Sequence, residues 1–439
     1  MQKRKKDKSD FRYDTGQAKV PWAAVGEYVN VDDILEMIKF LIPKGDKDSQ
    51  AYDEQLSQVK DEVKKLYNKG SYQSKLAVGN KVLELEEEVK KFLNVKYACF
   101  VTNATSGFEI AHKFAGLKEG DEVIAPAITF FSTISYPLEI GAKIVLADVD
   151  PRTLQIDAKD VERKITKKTK VIMPVYIGGY PPDMDSIMKL AKENDITVIE
   201  DAAHAFGGSY KGKMSGTIGH FGSFSFHEVK NVNALGEGGI VVTNQPYGED
   251  FPKARFGGFD GAHPIEKWLY DVTAIKGKGD YSIASNCCTT EIQAVVLLNQ
   301  MRRIKEIITK RRKSAEYLNK RFKDIDGIIT PPLDTDDIKS THHLYYFHID
   351  PDKLKGDIQD FKKKLGEKGV VQIPHFAPLY KFSYMKQMGY DTKAIEKSCP
   401  HTEELFQHRF THLPLYPLTK NQLKYMADKV IEVIKEMQR

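Results

Sequence analysis

Between Ala98 and Val242 the chain carries a series of short apolar runs, most of them separated by sequence of helical character. Residues 99–101, 122–125, 143–148, 171–175, 196–200, 221–226 and 240–242 read as strands. Residues 106–114, 133–140 and 183–193 read as helices between them. Parallel neighbours need a crossover connection, and a helix is the usual one. The pattern therefore predicts an α/β fold, with a mostly parallel central sheet and helices on both faces.

The flanks have a different rhythm. Residues 31–42 form an amphipathic pattern on Ile34, Leu35, Ile38, Leu41 and Ile42. A charged stretch follows over 43–73, with an exposed helix expected near 55–68 and another helix at 82–93. Beyond Asn244, residues 290–317 read as one long helix or two, with Ile292, Val295, Val296, Leu298 and Met301 as the apolar face. A smaller α+β region closes the chain, with a strand at 344–349 and a helix at 420–437. The expected organisation is a basic tail (1–19), a large α/β domain (20–310) with a charged insertion near 43–73, and a small C-terminal α+β domain (311–439).

Composition excludes several classes. Hydrophobic residues make up 41% and charged residues 29% of the 439, which fits a soluble globular chain. No apolar run approaches the ~20 residues of a membrane span, and the N-terminus lacks the apolar core of a signal peptide. A cytoplasmic location with no membrane partner is expected. The net charge is +5, and five cations fall in the first eight residues. That is a solvated terminus rather than a field for nucleic acid. Cys99, Cys287, Cys288 and Cys399 are too few for a disulfide framework and lack zinc-site spacing, so reduced thiols and no metal are expected.

In open parallel sheets, ligands bind beyond the carboxyl ends of the strands. Three sets of groups fall there. Asp201 follows one strand directly, Thr105 and Ser106 lie between another strand and its helix, and Lys230 lies just past the strand ending at Phe226. A lysine amine condenses with an aldehyde, and a carboxylate can hold a protonated pyridine nitrogen. Pyridoxal phosphate (PLP) needs both groups from its protein. The small polar run 102–107 opens a helix, where N–H groups and the helix dipole can cradle a phosphate. Phe130 can stack on a flat ring, and His204 can donate to a ring oxygen or to Asp201. Taken singly, each residue has a commoner role: N-cap, core aromatic, structural histidine, surface lysine. Together and in this order they point to PLP. Residues 207–213 have P-loop spacing, but Met214 stands where a Ser or Thr must hold Mg²⁺, so a nucleotide hydrolase is set aside.

Residues 200–207 read E-D-A-A-H-A-F-G, and residues 225–231 read S-F-H-E-V-K-N ahead of G-E-G-G at 236–239. With D-V-D-P at 148–151 and Asn286 ahead of E-I-Q-A at 291–294, these motifs resemble those of the DegT/DnrJ/EryC1/StrS family of PLP-dependent sugar aminotransferases. The likeness runs from about Val20 to the C-terminus, apart from 43–73. It implies the PLP-dependent transferase fold type I, that of aspartate aminotransferase. It also implies transfer of an amino group from an amino acid, glutamate in the family, to the keto group of a nucleotide-linked keto-sugar.

By position, the resemblance implies that Lys230 attaches the cofactor and shuttles the proton. Asp201 would hold the pyridine nitrogen, Phe130 would stack on the ring and His204 would approach its oxygen. Thr105, Ser106 and Ser225 would bind the phosphate. Asn286 would reach the phosphate of a neighbouring subunit, implying a homodimer with shared active sites, and His375 would lie near the substrate. Family members with histidine in place of this lysine are sugar dehydratases, so Lys230 favours aminotransfer. Ala104 stands where the family has glycine, and Cys287-Cys288 where it has an aromatic–arginine pair. The second departure motivates an alternative, a non-catalytic PLP-fold protein acting in regulation or assembly.

Overall fold

The computed structural model describes residues 26–439 apart from 47, 71–75, 267, 269, 372–375 and 416. The basic tail and His375 lie outside the described residues. The chain divides into two units, one ending at Gly79 and one running from Asn80 to Arg439.

In the first unit, α1 (Val31–Leu41) opens with a capping box. Asn30 Oδ1 accepts from the N–H groups of Asp32 and Asp33, and Asp33 accepts from the Asn30 N–H. The charged helix α2 (Ser49–Lys69) follows, starting earlier than its sequence suggests. Its Tyr52 and Tyr67 hydroxyls donate to Ile42 O (2.7 Å) and Val29 O (3.0 Å). The buried face of α1 is narrower than its spacing predicts: Leu35 is buried, while Leu41 and Ile42 are exposed. None of the described residues of α2 is buried, so it gives that face little apolar surface to pack on.

The second unit is built on a seven-stranded sheet. Its strands are β1 (Tyr97–Val101), β2 (Glu122–Pro126), β3 (Lys143–Ala147), β4 (Thr169–Ile172), β5 (Thr197–Asp201), β6 (Phe221–Ser225) and β7 (Gly239–Thr243), in the order β1-β7-β6-β5-β4-β2-β3. The pairings among β2 to β6 are parallel. β7 is antiparallel to both its neighbours, because no crossover helix lies between Ser225 and Gly239 and the chain turns straight back. Alternate residues face opposite sides. Phe100, Val198 and Ile240 share one core with Val82, Leu85 and Val89 of α3 (Asn80–Leu93). Cys99, Ile199 and Val241 share the other with Phe108 and Phe114 of α4 (Ala104–Ala115). A short helix, α5 (Ser132–Glu139), follows β2.

The stretch read as one or two helices is two, α6 (Glu291–Met301) and α7 (Ile304–Phe322). The face of α6 differs from the expected one. Ile292 and Val295 are exposed, and Ala294, Leu297 and Leu298 are buried together with Glu291. The cause is Glu291, whose carboxylate accepts from the N–H groups of Lys81 (2.8 Å) and Val82 (3.1 Å) at the head of α3. Along α7, Ile304 and Ile308 belong to a core of the large sheet. Ala315, Leu318 and Phe322 belong to a separate core with the strand Tyr345–Ile349 and the helix Lys420–Met437. The expected boundary near residue 310 thus falls inside one continuous helix, between these two sets.

Candidate active site

The carboxyl ends of β1, β5 and β6 and the start of β7 lie at one edge of the sheet. Gly239, the first residue of β7, is in register with Val101 of β1 and Ser225 of β6. Asp201 closes β5, opposite Ser223 of β6. Helix α4 begins directly after β1, capped by Asn103, whose Oδ1 accepts from the Ser106 N–H (3.0 Å) and hydroxyl (3.1 Å). Thr105 and Ser106 are half-buried in its first turn, where backbone N–H groups lack helical partners and the dipole favours an anion. Ala104 is buried there with helical backbone, so alanine stands in the family's glycine position without strain. Ser225 is buried, and its Oγ accepts from the His227 N–H (3.3 Å).

Gly239 shapes this cradle. A Cβ at Gly239 would lie 2.2 Å from the carbonyl carbon of Asn103 and 2.5 Å from Ala104 N. Both are backbone atoms that cannot swing aside. Gly239→Ala should therefore push back the head of α4 at a cost of about 1–3 kcal/mol. The expected result is a lower melting temperature together with weaker retention of PLP, read by thermal denaturation and equilibrium dialysis. A variant with unchanged melting and cofactor affinity would show that the cradle is looser than its geometry.

Asp201 is buried. Its Oδ2 accepts from the Thr133 hydroxyl (2.8 Å) and its Oδ1 from the Ala203 N–H (3.1 Å). The Thr133 hydroxyl also pairs with Thr129 (3.0 Å), and its N–H donates to Phe130 O (3.2 Å). Phe130 therefore stands one turn from Asp201's partner, with its side chain half-exposed. Burial pushes the Asp201 carboxyl up; Thr133, Ala203 and the Lys230 ammonium oppose that rise. Lys230 lies on the loop between β6 and β7. Burial lowers its pKa to about 8, against the attraction of Asp201 and Glu237. Amine and carboxylate thus act on each other across the site without direct contact. Near neutral pH a useful fraction of the amine is free base.

His204 is held on one nitrogen. Its Nδ1 accepts from the Gly178 N–H (3.1 Å), so the neutral ring carries its proton on Nε2 and is a donor there. Its ring lies 4.3 Å from His343 and 5.9 Å from Phe376. His343 Nδ1 bonds Asn231 Oδ1 (2.9 Å), on the residue after Lys230. Thr133, Asn231 and His343 are neighbours of the site that the sequence did not mark as members of it. Asn231 stood inside the Lys230 motif, while His343 is paired across 112 residues and carries no local signal.

Asn286 is exposed, and its Oδ1 accepts from the Cys288 N–H (3.2 Å). It joins the cradle only indirectly, through Cys287 O, which accepts from the Thr102 N–H (3.1 Å). Cys287 is buried, which pushes its thiol up to about 12. His375 lies outside the described residues; beyond it, the Leu379 N–H donates to Ala127 O (2.8 Å), tying that segment to the end of β2. The run with P-loop spacing is a small hairpin, Ser209–Tyr210 with Lys213–Met214, rather than a strand-to-helix turn. Among the described residues, no helix is long and apolar enough to cross a membrane.

The residues present fit PLP: an amine and an acid that sense one another, and a helix head into which a side chain at Gly239 would intrude. The fold is that of the PLP-dependent aminotransferases. The chain belongs to the DegT/DnrJ/EryC1/StrS aminotransferase family, whose family model matches residues 57–435. It is 33% identical over 367 residues to the spore coat polysaccharide biosynthesis protein SpsC of Bacillus subtilis, covering 82% of this chain and 90% of that one. It is 31% identical over 369 residues to GDP-perosamine synthase of Escherichia coli O157:H7, covering 81% and 90%. Among solved structures, the PLP-form of a Streptococcus pneumoniae protein assigned as a sugar aminotransferase superposes with a TM-score of 0.74 at 25% identity, covering 83% and 93%.

Proposed function

We propose that this enzyme moves an amino group from glutamate to the keto group of a nucleotide-linked sugar, in the cytoplasm, as a homodimer with shared sites. The observation that carries the aminotransfer is the placement of Asp201 at the end of β5, paired with β6, whose following loop carries Lys230. The sugar is supported by the relatives, GDP-perosamine synthase among them. The dimer is supported by the exposed apolar side chains Trp268, Val272, Tyr281 and Ile283, which lie just ahead of Asn286 in the chain.

When bound, PLP supplies an aldehyde that carries the amino group and a ring that draws electrons from the adjacent carbon. Lys230 would hold the cofactor, then take a proton from that carbon and return it, a task suited to an amine with a pKa of about 8. Asp201, with both oxygens fixed by Thr133 and Ala203, would keep the pyridine nitrogen protonated. His204 would donate from Nε2 to the ring oxygen, and Phe130 would cover the ring's face. Thr105, Ser106 and Ser225 would hold the phosphate with the N–H groups of α4.

A spectral titration tests the substrate class. The protein is converted to its pyridoxamine form with glutamate, then mixed with a panel of nucleotide keto-sugars. At least one is expected to restore the pyridoxal absorbance. Conversion by glutamate with no response to any keto-sugar, but a response to simple keto acids, would retain the aminotransferase and remove the sugar.

A further inference from the structure

We propose that His343 is a positioning residue for Lys230: it clamps Asn231, the next residue along, and so holds the lysine amine in its half-buried place. This rests on Lys230 being the reactive amine, but on neither substrate.

The Asn231 carboxamide is gripped at both ends. Its Nδ2 donates to Thr341 O (3.3 Å) and its Oδ1 accepts from His343 Nδ1 (2.9 Å). A carbonyl oxygen only accepts, so His343 carries its proton on Nδ1. His343 is buried, and burial, His204, Lys230, Arg311 and His412 all disfavour its charged form. The clamp therefore keeps one protonation state across the working pH range.

The clamp is itself anchored. Thr341 donates from its N–H to Gly179 O (3.2 Å) and from its hydroxyl to His204 O (2.6 Å). The His343 N–H donates to Gly178 O (2.8 Å). Arg311 of α7 donates to His343 O (3.2 Å) and His342 O (3.5 Å). Gly178 and Gly179 have φ of +64° and +90°, and a Cβ on either would strike Tyr346 or Thr341. This frame is rigid, whereas the lysine loop is open at its tip, where Glu228 and Val229 are exposed. The other charged groups acting on the amine are Asp201 on β5 and Glu237 on the turn before β7, with His227 3.6 Å from Glu237. The Asn231–His343 bond links the loop carrying Lys230 to the rigid frame.

The test is competitive acetylation of the full chain, freed of cofactor, from pH 6 to 11, with the Lys230 peptide quantified by mass spectrometry. The unsubstituted protein should show a midpoint of about 8. His343→Leu removes the donor at similar volume. It should move the midpoint up by about one pH unit as water reaches the amine, giving about fivefold less labelling at pH 8. Asn231→Ala should do the same from the other side of the bond. His343→Asn, which keeps an N–H donor near the Nδ1 position, should stay close to the unsubstituted midpoint. An unmoved midpoint in folded His343→Leu overturns the proposal; should that variant fail to fold, Asn231→Ala decides in its place. A shift in His343→Asn as large as in His343→Leu also overturns it. Failure of every keto-sugar in the titration above would leave these results untouched, so the two ideas fail separately.

Discussion

Replacing Lys230 with alanine is expected to end amino transfer while leaving the fold intact. The lysine is asked both to hold the cofactor and to move the proton. Proton transfer by a positioned group is worth roughly 10²–10⁴-fold, and loss of both duties should lower kcat by at least about 10⁴-fold. Stability should change little. Burial depresses the Lys230 pKa, so the folded chain disfavours the ammonium form, and alanine removes that penalty. Melting of the cofactor-free variant should fall within about 1 kcal/mol of the parent. Borohydride reduction followed by peptide mapping gives the direct readout. The parent should carry its label on the Lys230 peptide and the variant should carry none. A parent labelled at any other lysine would defeat the assignment.

The parts of this site that were legible in the sequence are those set by strand ends. A strand buried on both faces reads as a near-continuous apolar run, so Ile196, Val198 and Ile199 mark β5, and Asp201 stands just past its expected end at Glu200. Even there the strand includes Asp201 itself, because Thr133 and Ala203 satisfy a charge that a strand pattern cannot accommodate. The Thr133–Asp201 bond spans 68 residues and the Asn231–His343 bond 112. No local periodicity encodes either. The face of α6 departs from its spacing for a related reason: a buried glutamate caps another helix from 210 residues away, and Ile292 and Val295 face outward. Asn286 shows a different limit. It is exposed on its own chain, so its proposed reach to the phosphate of a second subunit is not written in the contacts of one chain.

Asp201→Asn should separate activity from stability. The amide can be accommodated without orphaning a partner: its oxygen can accept from the Ala203 N–H while its nitrogen donates to the Thr133 hydroxyl. Thr133 can then donate to Thr129, since either hydroxyl of that pair can be the donor. What disappears is the charge. Two unit charges about 4 Å apart attract by about 4 kcal/mol at an effective dielectric near 20, so losing the charge that Asp201 would set against the ring nitrogen should slow the half-reaction with glutamate by about 10³-fold. Stability should move the other way. Burial raises the Asp201 pKa in the folded chain. A carboxyl raised on folding favours the native state below its unfolded pKa of about 3.9 and loses that contribution as pH climbs through the folded value. At pH 7 the cofactor-free parent bears the cost of a buried carboxylate, and asparagine relieves it. The cofactor-free variant should therefore melt at or above the parent at pH 7, with any advantage shrinking as the pH approaches 4. Lys230 should respond as well. Without Asp201 its attraction is gone, and its acetylation midpoint should fall below about 8. Stopped-flow absorbance with glutamate, thermal melts from pH 4 to 8 and the same labelling assay read all three. A variant that keeps more than a tenth of the parent's half-reaction rate would mean that the ring nitrogen finds its charge elsewhere.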